Sequence, residues 1–313
     1  MNTSVVIPVF NGAETIPLLV QRLGRVLPTV AESYEVILVN DGSRDQSWET
    51  IVRLSGEYPW VRGINLMRNY GQHNALLCGI RAAQYEVTIT MDDDLQHPPE
   101  EIPVLLAKLE ENYEVVYGTP QQEQHGMWRD LASQITKIAL QSAMGASIAR
   151  NVSALRVFRT HLRDAFAYYQ SPLLSIDVLL TWGTTRFSAI PVRREPRQLS
   201  RSNYTFGMLV THAANMITGF SILPLQLASV IGFGFTLFGL VVLLYVLGRY
   251  LIQGGSVPGF SFLASIISVF SGAQLFAIGI IGEYLARMHL RMMNRPTYTV
   301  REQTCSPVQQ QRT

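Results

Sequence analysis

The feature that most constrains the fold is the uneven distribution of charge along the chain. Between Ser202 and Gly282 the only Asp, Glu, Lys or Arg residue is Arg249, whereas almost all acidic residues precede this stretch. So little charge leaves too few polar side chains to cover a water-facing surface. The sequence therefore predicts two parts, a charged soluble domain followed by an apolar part that needs lipid.

Two apolar runs in the second part are long enough to cross a bilayer, which takes about 20 residues. We predict spans at about 223–249 and 261–283, joined by an uncharged turn. Arginines flank the pair on both sides and are absent from the turn, which places both termini in the cytoplasm. Segment 205–222 lacks Asp, Glu, Lys and Arg and favours an interfacial amphipathic helix over a buried globular one. Residues 287–313 are predicted to form a cytoplasmic tail.

The first part, over 1–204, alternates short β-branched runs with helical patterns. The predicted strands are Ser4–Val9, Glu35–Val39, Val61–Leu66, Val87–Met91 and Val115–Tyr117. The predicted helices between them are Thr15–Leu27, Gln46–Glu57, His73–Ala83 and Pro99–Glu111. This alternation predicts an α/β domain with a largely parallel, Rossmann-like sheet and helices on both faces.

Polar clusters follow four successive predicted strands, at Asn11, Asn40–Ser43, Arg68–His73 and Asp92–Asp94. Any one cluster is more readily explained as a turn, because Asn, Asp, Gly and Ser favour turns for local reasons. Four together favour a shared binding edge, since ligands of such sheets bind beyond the carboxyl ends of strands. There Asp41 can accept hydrogen bonds from a base or ribose. Arg68 would either counter a diphosphate charge or form a surface salt bridge.

The stretch TITMDDDLQHPPEE, from Thr88 to Glu101, places three consecutive carboxylates directly after an apolar run. Adjacent negative charges repel one another, so a fold tolerates them where a cation lies among them. Mg²⁺ and Mn²⁺ prefer oxygen ligands and bridge protein carboxylates to substrate phosphates. The motif therefore indicates a metal–diphosphate site at Asp92 and Asp94, although a solvated acidic turn explains so short a motif when it is taken alone.

Four motifs, VVIPVFNG, VNDGSRD, RNYGQHNA and MDDDLQHPPEEIP, resemble in order and spacing those of the family 2 glycosyltransferases of GT-A fold. With the tail motif GEYLARMHLRMMNRPTYTVRE, the similarity covers nearly the whole chain. It is greater still to the polyprenyl-phosphate glycosyltransferases, which include dolichyl-phosphate mannose synthases and bacterial undecaprenyl-phosphate enzymes. RNYGQHNA in particular is similar to the formamido-arabinose transferase branch. The resemblance implies a GT-A domain, a bacterial inner-membrane location and a homo-oligomer, by family resemblance a tetramer.

The resemblance also implies roles for individual residues. Nucleotide contacts would be Pro8, Phe10, Asn11, Asp41, Arg68, Asp92 and Asp93. Asp92 and Asp94 would be the catalytic pair and the metal ligands, and Gln96 would contact the donor sugar. The acceptor phosphate would be bound by Arg129, Arg156, Arg197, Arg201, Ser202 and Tyr204.

Three positions depart from the family pattern. Gly12 stands where the family often has Glu, and Asn203 replaces the Lys of its Ser-Lys-Tyr. No acid occurs in Asn151–Leu155, just before Arg156, where many members carry Asp. The last departure bears on mechanism, because a phosphate monoester has a second pKa of about 6 and arrives already ionised. Such an acceptor needs cations rather than a protein base.

These observations predict an enzyme that moves a sugar from a nucleotide-diphosphate sugar, with UDP the favoured nucleotide, to undecaprenyl phosphate. Transfer would proceed with inversion, use Mg²⁺ or Mn²⁺ and serve cell-envelope glycan or lipid A modification. The net charge of +2 argues against a nucleic-acid partner.

Two other functions compete with this prediction. A processive polysaccharide synthase would need a channel that two spans do not make, and the Q-x-x-R-W pattern is absent. The alternative from another class is a catalytically inactive, membrane-anchored nucleotide-sugar-binding scaffold. The intact Asp41, Asp92 and Asp94 argue against it.

Overall fold

The computed structural model describes residues 1–120, 151–171, 174–195, 223–253, 259–293 and 295–304. Its strands are β1 (Thr3–Val9), β2 (Tyr34–Asn40), β3 (Val61–Leu66), β4 (Val87–Thr90), β5 (Val115–Pro120), β6 (Arg156–Arg159), β7 (Phe187–Val192) and β8 (Val300–Gln303). Its α-helices are α1 (Ile16–Val30), α2 (Ser47–Glu57), α3 (Gln72–Ala82), α4 (Ile102–Glu110), α5 (Ile176–Gly183), α6 (Leu223–Gln253) and α7 (Phe260–Met292). Short 3₁₀ helices span Pro99–Glu101 and Thr160–Phe166.

The strands form one mixed sheet in the order β7-β5-β6-β4-β1-β2-β3-β8. Strands β1 to β4 pair in parallel, β6 runs antiparallel between β4 and β5, and β8 runs antiparallel to β3. The prediction of a largely parallel α/β sheet is confirmed, with two reversed strands as a correction. The five predicted strands are all present, and β6, β7 and β8 were not predicted.

Helices cover both faces of the sheet, as predicted. In β1 the side chains of Val5 and Ile7 join the core formed with α1, α2 and α4, whereas Val6 joins the core formed with α3 and α5. Helix α3 lies close to β1 at Gly79, where an added Cβ would stand 2.3 Å from Val6 Cγ1. The first residue of α3, Gln72, lies near the carboxyl end of β1.

The segment after α7 returns to the sheet. Thr297 is buried, and Tyr298 packs against the core around Cys78. Strand β8 then covers the edge of β3, and the Thr304 N–H donates to the Gly63 carbonyl oxygen over 3.0 Å. Part of the predicted tail is therefore an edge strand of the soluble domain.

Helices α6 and α7 are long and apolar enough to cross a membrane. They contain the predicted spans 223–249 and 261–283, and α7 continues beyond the second to Met292. Phe270 of α7 packs on Phe235, with the ring centroids 5.6 Å apart. The predicted interfacial helix, 205–222, lies outside the described residues.

Replacing Gly79 by Ala should destabilise the soluble domain, although Ala favours a helix more than Gly does. The new Cβ would overlap Val6 and come within 3.1 Å of Val39 Cγ2. Overpacking of this kind costs about 1–3 kcal/mol. A lower thermal unfolding midpoint of the detergent-solubilised full chain is the expected result.

The matched control is Gly56→Ala in α2, where a Cβ would meet no atom within 4 Å. It should leave the midpoint unchanged or raise it slightly. Equal midpoints for the two variants would contradict the close contact between α3 and β1.

Candidate active site

A cavity of about 260 Å³ lies at the carboxyl ends of β1, β2 and β4. Its lining residues are Pro8, Val9, Phe10, Asp41, Asn69, Gly71, Gln72, Asp92, Asp93 and Asp94. The structure thus brings residues that follow the first four strands to one edge. Two residues proposed from the sequence for this site, Asn11 and Arg68, are not among those lining the cavity.

Asn11 connects the first two loops of this edge. Its backbone N–H donates to Ser43 Oγ over 3.0 Å, and its Oδ1 accepts from the Arg44 N–H over 2.8 Å. Its φ of 55° lies in the left-handed region, which Asn tolerates better than most residues. The side chain therefore organises the loops, while the neighbouring Phe10 is 47% exposed and offers an aromatic face to the cavity.

The carboxylate of Asp41 connects the second loop to the third. It is buried, and its two oxygens accept from the backbone N–H groups of Tyr70 and Gly71 over 2.7 and 2.8 Å. Burial raises the pKa of Asp41, and the two N–H donors partly oppose that rise. In the third loop the Arg68 guanidinium lies over the ring of Tyr70, 4.8 Å from its centroid.

The outer two members of the acidic triplet are held by glutamines. Asp92 Oδ1 accepts from Gln72 Nε2 over 2.6 Å. Asp94 accepts from the backbone N–H and Nε2 of Gln96, over 3.1 and 2.7 Å. Both carboxylates are therefore oriented at the cavity.

Asp93 packs under the first loop. An added Cβ at Gly12 would stand 2.3 Å from Asp93 Oδ2, an oxygen that is buried without a hydrogen-bond partner. Burial and the adjacent carboxylates of Asp92 and Asp94 raise the pKa of Asp93 to about 7. This contact accounts for one departure from the family pattern, since any side chain at position 12 would collide with the carboxylate.

The donor set of the triplet fits a hard divalent cation. Asp92 and Asp94 supply carboxylate oxygens, which Mg²⁺ and Mn²⁺ prefer. Across the part of the chain that the structure describes, no three His, Cys, Asp or Glu side chains form a protein-only metal site. An ion here would need further oxygen ligands, of the kind that a diphosphate provides.

Gln96 connects the triplet to the chain segment that precedes the apolar helices. Its Oε1 accepts from Arg194 Nε over 2.8 Å, and its backbone carbonyl accepts from the Glu195 N–H over 2.9 Å. Glu195 is itself paired with Arg22, with N and O 3.0 Å apart. The segment 193–195 is therefore attached beside Asp94.

Of the residues expected at the acceptor, Arg156 is described and is buried. Its guanidinium forms an ion pair with Asp177, which also accepts from the Tyr117 hydroxyl over 3.1 Å. Burial and the positive charges of Arg194 and Arg156 lower the pKa of the nearby His97. The other acceptor candidates lie outside the described residues: Arg129, Arg197, Arg201, Ser202 and Tyr204.

The sequence interpretation assigned no individual role to Gln72 and Asn69, and it did not predict the contact that Arg194 makes. Gln72 and Asn69 line the cavity, and Arg194 reaches Gln96. Gln72 and Asn69 belong to a recognised strand-end cluster, so their neighbourhood was visible in the sequence. The contact between Arg194 and Gln96 could not be predicted from the sequence, because it joins residues far apart in the chain.

Known proteins share this fold. The family model for Glycosyl transferase family 2 matches residues 4–165. A structure of glucosyl-3-phosphoglycerate synthase from Mycobacterium tuberculosis with Mn²⁺, UDP-glucose and phosphoglyceric acid is similar, with a TM-score of 0.51 and 16% identity. That match covers 69% of this chain and 77% of the synthase.

S. aureus TarS in complex with UDP is also similar, with a TM-score of 0.45 and 19% identity. This match covers 61% of the present chain and spans only 58% of the TarS structure. The family match covers more than half of the chain and its mixed sheet has the GT-A fold. The chain therefore belongs to glycosyl transferase family 2.

Proposed function

We propose that this enzyme transfers a sugar from a UDP-sugar to undecaprenyl phosphate at the cytoplasmic face of a bacterial inner membrane. The observation that carries the proposal is the position of Gln96. It binds Asp94 on one side and the segment 193–195 on the other. In the sequence this segment precedes the two apolar helices, so we propose that the lipid acceptor reaches the donor site from the side of the enzyme's own membrane anchor.

The donor would occupy the cavity at the strand ends. Pro8, Phe10 and Asp41 would bind the nucleotide. Asn11 would organise the loops around the nucleotide, and Arg68 would lie beside these loops. Asp92 and Asp93 would lie beside the diphosphate of the nucleotide, and Gln96 would contact the sugar. The similar synthase structure contains UDP-glucose and Mn²⁺, which supports UDP and a divalent ion for this chain.

Asp92 and Asp94 would hold the Mg²⁺ or Mn²⁺ ion, together with diphosphate oxygens. A bound ion of this kind would supply positive charge to the leaving diphosphate. The protein's own contribution is orientation, because Gln72 and Gln96 fix the two carboxylates.

The acceptor side combines positive charge with proximity to the apolar part. Arg194 lies beside the acidic triplet through its contact with Gln96, and we propose that it acts with Arg156, Arg129, Arg197 and Arg201. Ser202 and Tyr204 would add hydroxyl contacts to the same phosphate. Arginine suits this task because its planar guanidinium pairs bidentately with phosphate.

The chemistry needs no protein base. An ionised phosphate oxygen attacks the anomeric carbon from the face opposite the diphosphate, forming one C–O bond while the bond to UDP breaks. Asp177 is the carboxylate next to Arg156, and its ion pair with that arginine removes it as a proton acceptor. The nucleophile therefore brings its own negative charge.

The sheet also constrains membrane topology. Strand β7 precedes α6 and β8 follows α7, yet both belong to one sheet. If α6 and α7 each cross the bilayer, the chain must return to the side on which it started. We propose that this side is the cytoplasm, because Arg287 and Arg291 lie near the end of α7 and the cytoplasmic flanks of membrane spans are rich in arginine and lysine. We propose that lipid and further copies in a homo-oligomer cover the exposed apolar faces of the two helices.

The direct test incubates membranes containing the protein with a panel of nucleotide sugars and undecaprenyl phosphate, followed by mass analysis of the lipid. A product heavier by one sugar residue is expected with a UDP-sugar and a divalent ion. Asp94→Asn should reduce transfer at least about hundredfold, since it removes charge that binds the ion.

The matched control is Glu110→Gln, an exposed carboxylate at the end of α4, which should keep full activity. Undiminished transfer by Asp94→Asn, or in excess chelator, would exclude the metal site. Sugar transfer to water or protein but never to the lipid would exclude the proposed acceptor.

Arg194→Ala should raise the KM for undecaprenyl phosphate about tenfold and the KM for the nucleotide sugar much less. The physical reason is the loss of a charge-assisted contact beside the donor site. Steady-state kinetics with each substrate varied in turn provide the measurement.

Arg193→Ala is the matched control, because Arg193 is the adjacent arginine but pairs with Glu101 instead. It should change neither KM by more than about twofold, because the Arg193 side chain is mostly exposed and its hydrogen bond goes to Glu101 rather than to Gln96. Equal effects of the two variants would show that Arg194 has no special place at the acceptor.

The acid limb of kcat/KM for the lipid should follow the second ionisation of its phosphate, with activity lost as pH falls through about 6. A phosphonate acceptor of higher pKa should move this limb to higher pH. Burial and the positive charge of Arg194 lower the pKa of His97, which disfavours the protonated ring, and His97→Asn should not move the limb. If the acid limb keeps its position with the phosphonate acceptor but shifts in His97→Asn, the proton acceptor is a protein base.

A further inference from the structure

A row of three polar side chains crosses the sheet from its last strand to the nucleotide loop. Asn40 of β2 stands opposite Asn65 of β3, and Asn65 stands opposite Glu302 of β8. Glu302 follows both apolar helices in the chain, whereas Asn40 directly precedes Asp41. The row therefore joins the segment after the membrane part to the proposed nucleotide site.

The three side chains are connected by hydrogen bonds in one direction. Asn65 Nδ2 donates to Glu302 Oε1 over 2.8 Å, and Asn40 Nδ2 donates to Asn65 Oδ1 over 2.8 Å. Asn40 Oδ1 then accepts from the backbone N–H of Ser43 over 3.3 Å. Asn40 and Asn65 are only 3% and 6% exposed, so water is a poor substitute partner for either amide.

The direction of the row is set by its outer end. An ionised carboxylate only accepts hydrogen bonds, so Glu302 requires the Nδ2 group of Asn65. Asn65 must then present its oxygen to Asn40, and Asn40 must present its own oxygen to Ser43. If both amides were reversed, the Nδ2 of Asn40 would face the Ser43 N–H, and two donors would oppose each other.

The inner end of the row lies in a tightly packed loop. Ser43 Oγ accepts from the Asn11 N–H over 3.0 Å, next to Phe10. Gly42 has a φ of 66°, and an added Cβ there would stand 2.5 Å from the Asn69 nitrogen. A shift of Ser43 would therefore be transmitted to the residues on either side, including Asp41 and Phe10 at the cavity.

We propose that Glu302 is a positioning residue for the nucleotide site, acting through Asn65 and Asn40 on the loop of Asp41 to Ser43. The proposal rests on the proposed function, in which this loop contacts the nucleotide. A second contact of the same segment agrees with it, since the Thr299 carbonyl accepts from the Met67 N–H over 2.9 Å, just before the third loop. The strand that follows the apolar helices thus helps to complete the donor site.

The experiment measures UDP binding in the presence of Mn²⁺ by calorimetry, using the full chain in detergent. Glu302→Gln retains an acceptor oxygen and should bind UDP within about twofold of the wild type. Glu302→Ala should weaken binding about three- to tenfold, the range expected when a hydrogen bond to a charged group at a partly exposed site is lost. Glu302→Lys should bind UDP more weakly still, because a hydrogen-bond donor at this position favours the reversed orientation of the Asn65 and Asn40 amides.

Gln303→Ala is the matched control, since Gln303 is the exposed neighbour in the same strand. It should bind UDP as the wild type does. In transfer assays the alanine and lysine variants should raise the KM for the nucleotide sugar while leaving the KM for the lipid phosphate unchanged, a split that general loss of stability would not produce.

The inference is overturned if Glu302→Ala and Glu302→Lys bind UDP normally while Asp94→Asn binds it weakly, and the proposed function then stands. It is also overturned if Gln303→Ala matches Glu302→Ala, because the strand rather than the carboxylate would be responsible. If the wild type fails to bind UDP, or Asp94→Asn binds it normally, the proposed donor site is wrong and the inference fails with it.

Discussion

The buried carboxylate of Asp41 is the interaction on which the candidate active site depends. Asp41 follows β2, and its two oxygens accept hydrogen bonds from the backbone N–H groups of Tyr70 and Gly71 in the loop after β3. A buried carboxylate is tolerated only when hydrogen bonds compensate its desolvation. Because the donors are backbone groups, the carboxylate fixes the course of the third loop, and with it the start of α3 and the side chain of Gln72.

Gln72 in turn donates a hydrogen bond to Asp92, so the loop after β3 is connected to the acidic triplet. Gln96 extends the same continuity from Asp94 to Arg194 and Glu195. The loops after β1 to β4 and the segment before the apolar helices therefore form one connected surface. In the proposed reaction this surface would bring the sugar of the donor together with the phosphate of the lipid acceptor.

The sequence predicted the central part of the fold well. Strands β1 to β5 and helices α1 to α4 have clear hydrophobic periodicity, and the turn residues after each strand mark the binding edge. The short strands β6 (RVFR) and β8 (VREQ) contain two charged residues each, so they lack the apolar run that identified the equally short β4. They exist because neighbouring strands supply hydrogen-bond partners, which a local pattern does not encode.

The site was predictable at the level of strand ends and less so at the level of single contacts. Asp92 and Asp94 were proposed from three adjacent charges, but the different role of Asp93 depends on the absence of a side chain at Gly12. Asp41 was expected to face a ligand, and its main observed partners are backbone groups. Such contacts join residues far apart in the chain, so spacing within a motif cannot reveal them.

The position of β8 has a consequence for biosynthesis. A ribosome produces the first seven strands before it produces the apolar helices, and the eighth strand only after them. Until then the edge of β3 has unpaired backbone groups, which invite association with other chains. In the proposed membrane topology, the sheet of a nascent chain is therefore incomplete while α6 and α7 are inserted. It is completed only once β8 has emerged on the same side of the membrane as the other strands.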